Sequence, residues 1–270
     1  MKILLFSGSH PRHLFVHKAL VENFDIAGVV LMRREEMLPE VPAGTSAHDA
    51  KNFRRHFADR LAAEQKYFGD SAPEKVFNKI NTWECDKETL NNPKTVQFIE
   101  SVKPDLVFLF GSTLIKAPIF PVLPHDRVNL HLGLSPWYKG TATLFWPFYN
   151  LEPQFAGSTI HQITKAADAG AIIHQIVPKL ERGDGIHDVA CKTVIASTED
   201  LVALFKKRGK EGRFTETPQR SSGRLYLKKD FRPEHLRLIY DLYQNKMVDA
   251  FLSGEISGRS PSLISGLSPE

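Results

Sequence analysis

The chain has 270 residues, 42% apolar and 24% charged, with a formal net charge of +4; that length buries a sizeable core, and the composition excludes extensive disorder. No apolar run approaches the roughly 20 residues that span a bilayer, and the opening MKILLFSGSH is too short for a signal peptide, so a cytoplasmic protein with no membrane insertion is expected. The charge mildly favours an anionic ligand, but the densest basic stretch, residues 206–213, contains Glu211 and no aromatics, which reads as a solvated helix end and not as a nucleic-acid surface.

Residues 2–7 form a short apolar run closed by Gly8, as a buried parallel strand entering a turn does. Leu14, Phe15, Ala19 and Leu20 then recur at helical spacing and residues 26–32 form a second apolar run, so the chain opens as a βαβ unit. Residues 33–85 turn polar around Pro39 and Pro42, with a charged helical stretch at 52–68, and read as an insertion beside the sheet. Residues 95–102 predict a helix, and Pro104-Asp105 leads into a strand over 106–110, closed by Gly111. Cys85 and Cys191 read as free thiols without a chemical role.

Further strands are predicted at 127–132, 157–163 and 171–177, with a helical apolar face at 146–149. A helix over 188–205 runs into the charged, Gly-containing segment 206–212. A polar linker at 215–223 and a strand at 225–227 follow. Leu236, Ile239, Tyr240, Tyr243, Met247 and Phe251 then recur at helical spacing, predicting one amphipathic helix over 234–252. Residues 257–270 are Ser- and Gly-rich and predict a frayed end. There is no internal repeat. The pattern predicts an α/β fold, a Rossmann-like, mostly parallel sheet flanked by helices, with a catalytic domain at 1–205 and a linker plus small C-terminal α+β appendage at 206–270. In such sheets ligands sit beyond the carboxyl ends of the strands, here just after Phe6, Phe110 and Leu130.

The chemistry concentrates between Val128 and Gln175, where VNLHLGLSPWYKG is followed by GSTIH and then DAGAIIHQ. Side chains alternate along a strand, so Asn129 and His131 share a face and reach one reacting carbon. Attack on a carbonyl carbon develops an oxyanion and releases a proton from the attacking group, which call for hydrogen-bond donors and a proton acceptor; an amide and an imidazole supply both.

Asn129, His131, Leu134, Ser135, Pro136, Gly140, Asp168 and Gly170, in this order, resemble the 10-formyltetrahydrofolate-dependent formyltransferase superfamily, whose members share an Asn-x-His, a Leu-Ser-Pro turn with Gly, and a later Asp-x-Gly. The resemblance covers roughly residues 1–205. It implies a catalytic set of Asn129, His131 and Asp168: Asn129 donates to the oxyanion, His131 supports it and relays the amine proton, and Asp168 orients His131 or a water. It also implies a pterin site after the Phe110 strand, formed by Phe110, Gly111, Leu114, Ile115 and Lys116, with Ala167 in the opposing wall of residues 164–168. On physical grounds Gly111 permits an unusual turn there, and Leu114 with Ile115 supplies an apolar slot.

Residues 7–13 end the first strand and open the first helix, where unpaired backbone N–H groups attract phosphate. Ser9, His10 and Arg12, with Trp137, Tyr138 and Lys139, are the candidate acceptor-binding residues, Arg12 being the phosphate-facing one. His10, His13 and His17 either line that pocket or form a solvated helix face. Relatives acting on methionyl-tRNA carry a C-terminal β-barrel and those acting on glycinamide ribonucleotide little beyond the catalytic domain. This chain most resembles the sugar N-formyltransferases, which implies a nucleotide-linked amino sugar as acceptor for surface polysaccharide synthesis and allows a homodimer.

Other readings are a methionyl-tRNA formyltransferase-like enzyme, a formyltetrahydrofolate hydrolase, and an idle folate- or nucleotide-binding module. A Ser135-His131-Asp168 hydrolase triad lacks the Gly-x-Ser-x-Gly elbow. Metal binding by His161, His174 and Asp168 lacks the tight spacing of structural zinc sites, so no metal is expected and both histidines read as ordinary strand residues.

Overall fold

A computed structural model describes residues 1–33, 37–221 and 223–267; residues 34–36, 222 and 268–270, parts of the predicted insertion, linker and tail, lie outside the described residues. The elements that position the site are β1 (Ile3–Gly8), α1 (Pro11–Asn23), β2 (Ile26–Met32), α2 (Ala47–Phe68), α3 (Pro73–Val76), β3 (Thr82–Cys85), α4 (Pro93–Val102), β4 (Leu106–Phe110), β5 (Asp126–His131), β6 (Tyr138–Gly140), α5 (Trp146–Tyr149), β7 (Ser158–Gln162), β8 (Ile172–Ile176), α6 (Ile186–Glu211), β9 (Arg224–Tyr226) and α7 (Met247–Leu252).

The main sheet has seven strands in the order β3-β2-β1-β4-β5-β7-β8. From β3 to β5 the pairings are parallel, whereas β5–β7 and β7–β8 are antiparallel. β1 and β4 are buried at every position, which is why they read as unbroken apolar runs. Alternate residues supply two cores. Leu5, Phe108, Val128 and Leu130 pack against Leu14 and Leu20 of α1 and Leu201 and Phe205 of α6. Leu4, Phe6, Val107 and Leu109 pack against Ile99 and Val102 of α4. Each fully buried Leu or Phe of this kind stabilises the fold by about 1.5–3 kcal/mol.

A third core joins Phe53 of α2, Leu134, Phe145 and Trp146 from the segment after β5, and Tyr226, Leu236, Tyr240 and Met247 from the C-terminal segment. The C-terminal residues therefore share a core with the catalytic segment. β9 pairs with β6 in a separate two-stranded sheet, a pairing absent from the predicted elements.

α6 ends within the charged segment read as a helix end, at Glu211, with Gly212 in the left-handed conformation that costs glycine little. Three expectations are corrected. Residues 82–85, assigned to the insertion, form the edge strand β3. The single helix over 234–252 is instead a 3-10 turn at Pro233–His235, a π-turn at Leu238–Leu242 and α7, because Gln244 and Asn245 take positive φ and break the repeat. The tail is also pinned: Ile264 O accepts from Gln175 N at 2.8 Å, and Gly266 N donates to His174 Nδ1 at 3.1 Å, covering the β8 edge. Among the described residues no helix is long and apolar enough to cross a membrane.

Candidate active site

Chain order reverses between β1 and β4, and the candidate site lies beyond the carboxyl ends of β1, β4 and β5. β5 carries Asn129 and His131 on the face opposite the Val128 and Leu130 that enter the α1–α6 core. Antiparallel pairing with β7 sets Asn129 directly across from His161, so these side chains share a face. Asn129 Nδ2 lies 3.1 Å from His161 Nε2, and His161 Nδ1 lies 2.8 Å from the Gln162 carbonyl oxygen. The carbonyl takes the Nδ1–H, which leaves the lone pair of a neutral ring on Nε2. Asn129 must then present its NH2 group there and retains a second N–H.

Asp168 brings the constellation together. Its Oδ2 is 3.5 Å from His131 Nδ1, its Oδ1 is 3.5 Å from His161 Nε2, and the Gly140 N–H donates to Oδ2 at 2.9 Å. The Asp168 backbone is left-handed, φ 50°, a conformation Asp tolerates better than most residues. On its other side His131 Nε2 faces the Tyr138 carbonyl oxygen at 2.9 Å, so Nε2 carries the proton of a neutral ring and Nδ1 holds its lone pair towards Asp168. Burial is the largest influence on His131 and lowers its pKa below the ordinary 6.5, against the opposing pull of Asp168 and the Tyr138 carbonyl. Burial also pushes the Asp168 carboxyl up, but the positive charge that His131 and His161 carry when protonated, with the Gly140 N–H, outweighs it and holds Asp168 well below the usual carboxylate range. At neutral pH the arrangement is an uncharged imidazole beside a carboxylate, ready to accept and stabilise one proton.

A formyl transferase family profile matches residues 56–203, more than half of the chain, and spans Asn129, His131, His161 and Asp168. The chain belongs to the formyl transferase family. It is a formyltransferase enzyme with the Rossmann-like fold of that family. Its structure is similar to that of an N-formyltransferase from Helicobacter canadensis solved with folinic acid and dTDP-3-aminofucose, at 16% identity over 94% of this chain and 82% of that one, TM-score 0.55. It is similar also to a 4-N formyltransferase from Francisella tularensis, at 18% identity over 85% and 77% of the two chains, TM-score 0.52. The phosphoribosylglycinamide formyltransferase from Anaplasma phagocytophilum aligns at 17% identity over 84% of this chain and 98% of its own, TM-score 0.54. Identities this low show a shared fold.

The residues expected to bind ligands are placed unevenly in this formyltransferase. Gly111 has φ 91°, and a Cβ there would come within 2.6 Å of the His13 ring, so glycine lets the β4 turn close over α1. Phe110 is buried and meets His13 edge-on at 4.9 Å. Leu114 is exposed whereas Ile115 enters the α4 core, so the two do not line one slot together. Asn91 takes up the Leu114 carbonyl and the Lys116 N–H. Lys116 and Ala167 are exposed.

On the acceptor side Arg12, the expected phosphate-facing residue, is ion-paired to the buried Glu64 and lies 3.2 Å from His10 Nδ1. Ser9 is half-buried next to His10. His10, His13 and His17 are all buried, so they do not form a solvated face; His17 is fully enclosed, which lowers its pKa to about 4. Tyr138 is core, its hydroxyl donating to Glu152 at 2.6 Å and its ring stacked with Tyr226, and so it is not available to stack on a ligand. Trp137 packs edge-on against Phe155. Lys139 is buried on β6, between the two residues whose backbones hold His131 and Asp168.

Sequence reasoning missed His161, whose place opposite Asn129 depends on a pairing of strands 32 residues apart. The signal that could have found it is the GSTIH strand itself, read in antiparallel register with VNLH. Among the described residues no group of three or more His, Cys, Asp or Glu is placed to hold a metal. Burial pushes the free thiols Cys85 and Cys191 up to about 12, leaving both poor nucleophiles.

Proposed function

We propose that the enzyme transfers the formyl group of 10-formyltetrahydrofolate to the amine of a nucleotide-linked amino sugar, with Asn129, His131 and Asp168 as its catalytic set. The observation that carries the reading is the pair of contacts His131 makes, Nε2 on the Tyr138 carbonyl and Nδ1 facing Asp168, beside an Asn129 amide fixed by His161. Asn129 donates its second N–H to the oxyanion that develops on the formyl carbon. His131 takes the amine proton at Nδ1, Asp168 stabilises the imidazolium that results, and as the tetrahedral intermediate collapses the bond from the formyl carbon to N10 of the donor breaks and the proton passes to N10, releasing tetrahydrofolate. A preorganised donor of the Asn129 kind is worth about 3–4 kcal/mol of barrier.

The fit of a flat folate ring rests on the left-handed Gly111 turn and on the exposed Leu114 beside it. The acceptor class is supported by a C-terminal segment of short helices and one strand, and by alignment of 94% of the chain with the Helicobacter protein solved with dTDP-3-aminofucose. Purified protein is incubated with 10-formyltetrahydrofolate and separate amino-sugar nucleotides, glycinamide ribonucleotide or methionyl-tRNA, and the products are weighed by mass spectrometry. A formyl mass gain on an amino-sugar nucleotide is expected. Gain only on another acceptor would overturn the acceptor, and formate release without any amine would indicate a hydrolase.

A further inference from the structure

We infer that Gln219, in the segment beyond the family match, is a positioning residue for Asp168; the inference rests on the reading of Asp168 as part of the catalytic set. One side-chain nitrogen makes two hydrogen bonds: Gln219 Nε2 donates to the Asp168 carbonyl at 2.8 Å and to the Gly170 carbonyl at 2.8 Å. Both hydrogens of the amide are used, and Oε1 is buried with no partner among the described residues. A flipped amide would set oxygen against two carbonyls, so the orientation is fixed. Lys165, Ala166 and Ala167 of the loop it holds are exposed, and the loop bends through the left-handed backbone of Asp168.

Gln219 is itself anchored. Two residues earlier, Thr217 exchanges backbone hydrogen bonds with Ile172 of β8 at 2.8 Å each way, and Glu216 accepts from Gln162 of β7 at 2.7 Å. Further along, β9 pairs with β6, whose Gly140 N–H and Tyr138 carbonyl hold Asp168 and His131. Asp168 is therefore gripped by its carboxylate from β6 and by its carbonyl from Gln219. The proposed catalytic geometry is thus assembled partly by residues outside the matched 56–203.

The test is Gln219→Met, which keeps length without donors, and Gln219→Glu, which keeps volume but turns an oxygen towards the two carbonyls. Each is made alone and combined with Asp168→Asn, and thermal unfolding checks that the variants fold. Turnover should fall about tenfold or more with KM for donor and acceptor within about twofold, since misplacement of a catalytic group on the ångström scale costs up to about a hundredfold. The acid limb of the pH–rate profile should move to lower pH, because a displaced carboxylate no longer raises the His131 pKa. In the Asp168→Asn background the Gln219 changes should have little further effect. Normal turnover in both Gln219 variants while Asp168→Asn is impaired, or an equal loss in both backgrounds with an unmoved pH limb, overturns the inference and leaves the site reading standing. Normal turnover in Asp168→Asn overturns the site reading and the positioning role with it.

Discussion

Gly140 holds Asp168: its backbone N–H donates to Oδ2 at 2.9 Å, from a residue with φ 94° on a strand the C-terminal segment completes. A Cβ at this position would collide with the Tyr226 carbonyl oxygen of β9. Gly140→Ala is therefore expected to destabilise the fold by about 2 kcal/mol or more and to lower turnover further than the loss of folded protein accounts for. Thermal unfolding and turnover per folded molecule check the two parts. An unchanged Tm would contradict the tight β6–β9 contact.

Removing the oxyanion donor or the proton acceptor should separate binding from chemistry. Asn129→Ala and His131→Ala are each expected to lower single-turnover rates at least about a hundredfold while folate affinity changes little. Titration of folate alongside the kinetics provides the check, and rates near wild type in both variants would remove this site from consideration.

The rate should rise with pH through the pKa of His131, which burial sets below 6.5, because only the neutral ring accepts the amine proton. Activity is thus lost as pH falls through the folded-state value. Asp168→Asn removes the charge that favours the imidazolium, so the acid limb should move to still lower pH while the maximum rate falls. A limb that stays in place would contradict direct coupling of the two residues.

Much of this site was legible in the sequence. Asn129 and His131 lie two residues apart on one strand, where alternation alone sets both on one face, and β1, β2 and β4 announce themselves as apolar runs. The roles of His161, Gly140 and Gln219 were not legible, because each acts across a chain separation that local pattern does not encode. β3 and β6 are only four and three residues long, too short for periodicity to stand out, whereas the equally short strand expected at 225–227 is found as β9. The false helix at 234–252 had the right spacing, but its turn at Gln244 and Asn245 uses a left-handed conformation that Asn tolerates, a signal weaker than a glycine or proline would give.

Stability should fall at mildly acid pH for reasons separate from catalysis. His17 and His187 are buried with pKa values lowered to about 4 by burial, so the folded state binds fewer protons than the unfolded chain between pH 6.5 and about 4. Their stability contribution is fully present above pH 6.5 and is lost as pH falls towards 4, by up to about 3 kcal/mol each. Denaturant titrations at pH 7 and pH 4.5 should show this loss, and His17→Gln, which does not titrate, should reduce it. A pH-independent midpoint would contradict the burial of neutral rings.

Arg12 and Glu64 form a pair in which the carboxylate is the more deeply buried partner. Arg12→Ala is expected to destabilise by about 3 kcal/mol or more through the charge left on Glu64, whereas Arg12→Met with Glu64→Met should cost less than that single change. Unfolding free energies of wild type and the two variants decide it, and a double variant no more stable than Arg12→Ala would contradict the pairing.

The most direct measurement of the central claim is single-turnover formyl transfer from 10-formyltetrahydrofolate to amino-sugar nucleotides, followed by product mass in wild type and Asn129→Ala side by side. The account predicts a formylated product with wild type and a rate at least about a hundredfold lower with Asn129→Ala at saturating folate. Equal rates in the two proteins would contradict it.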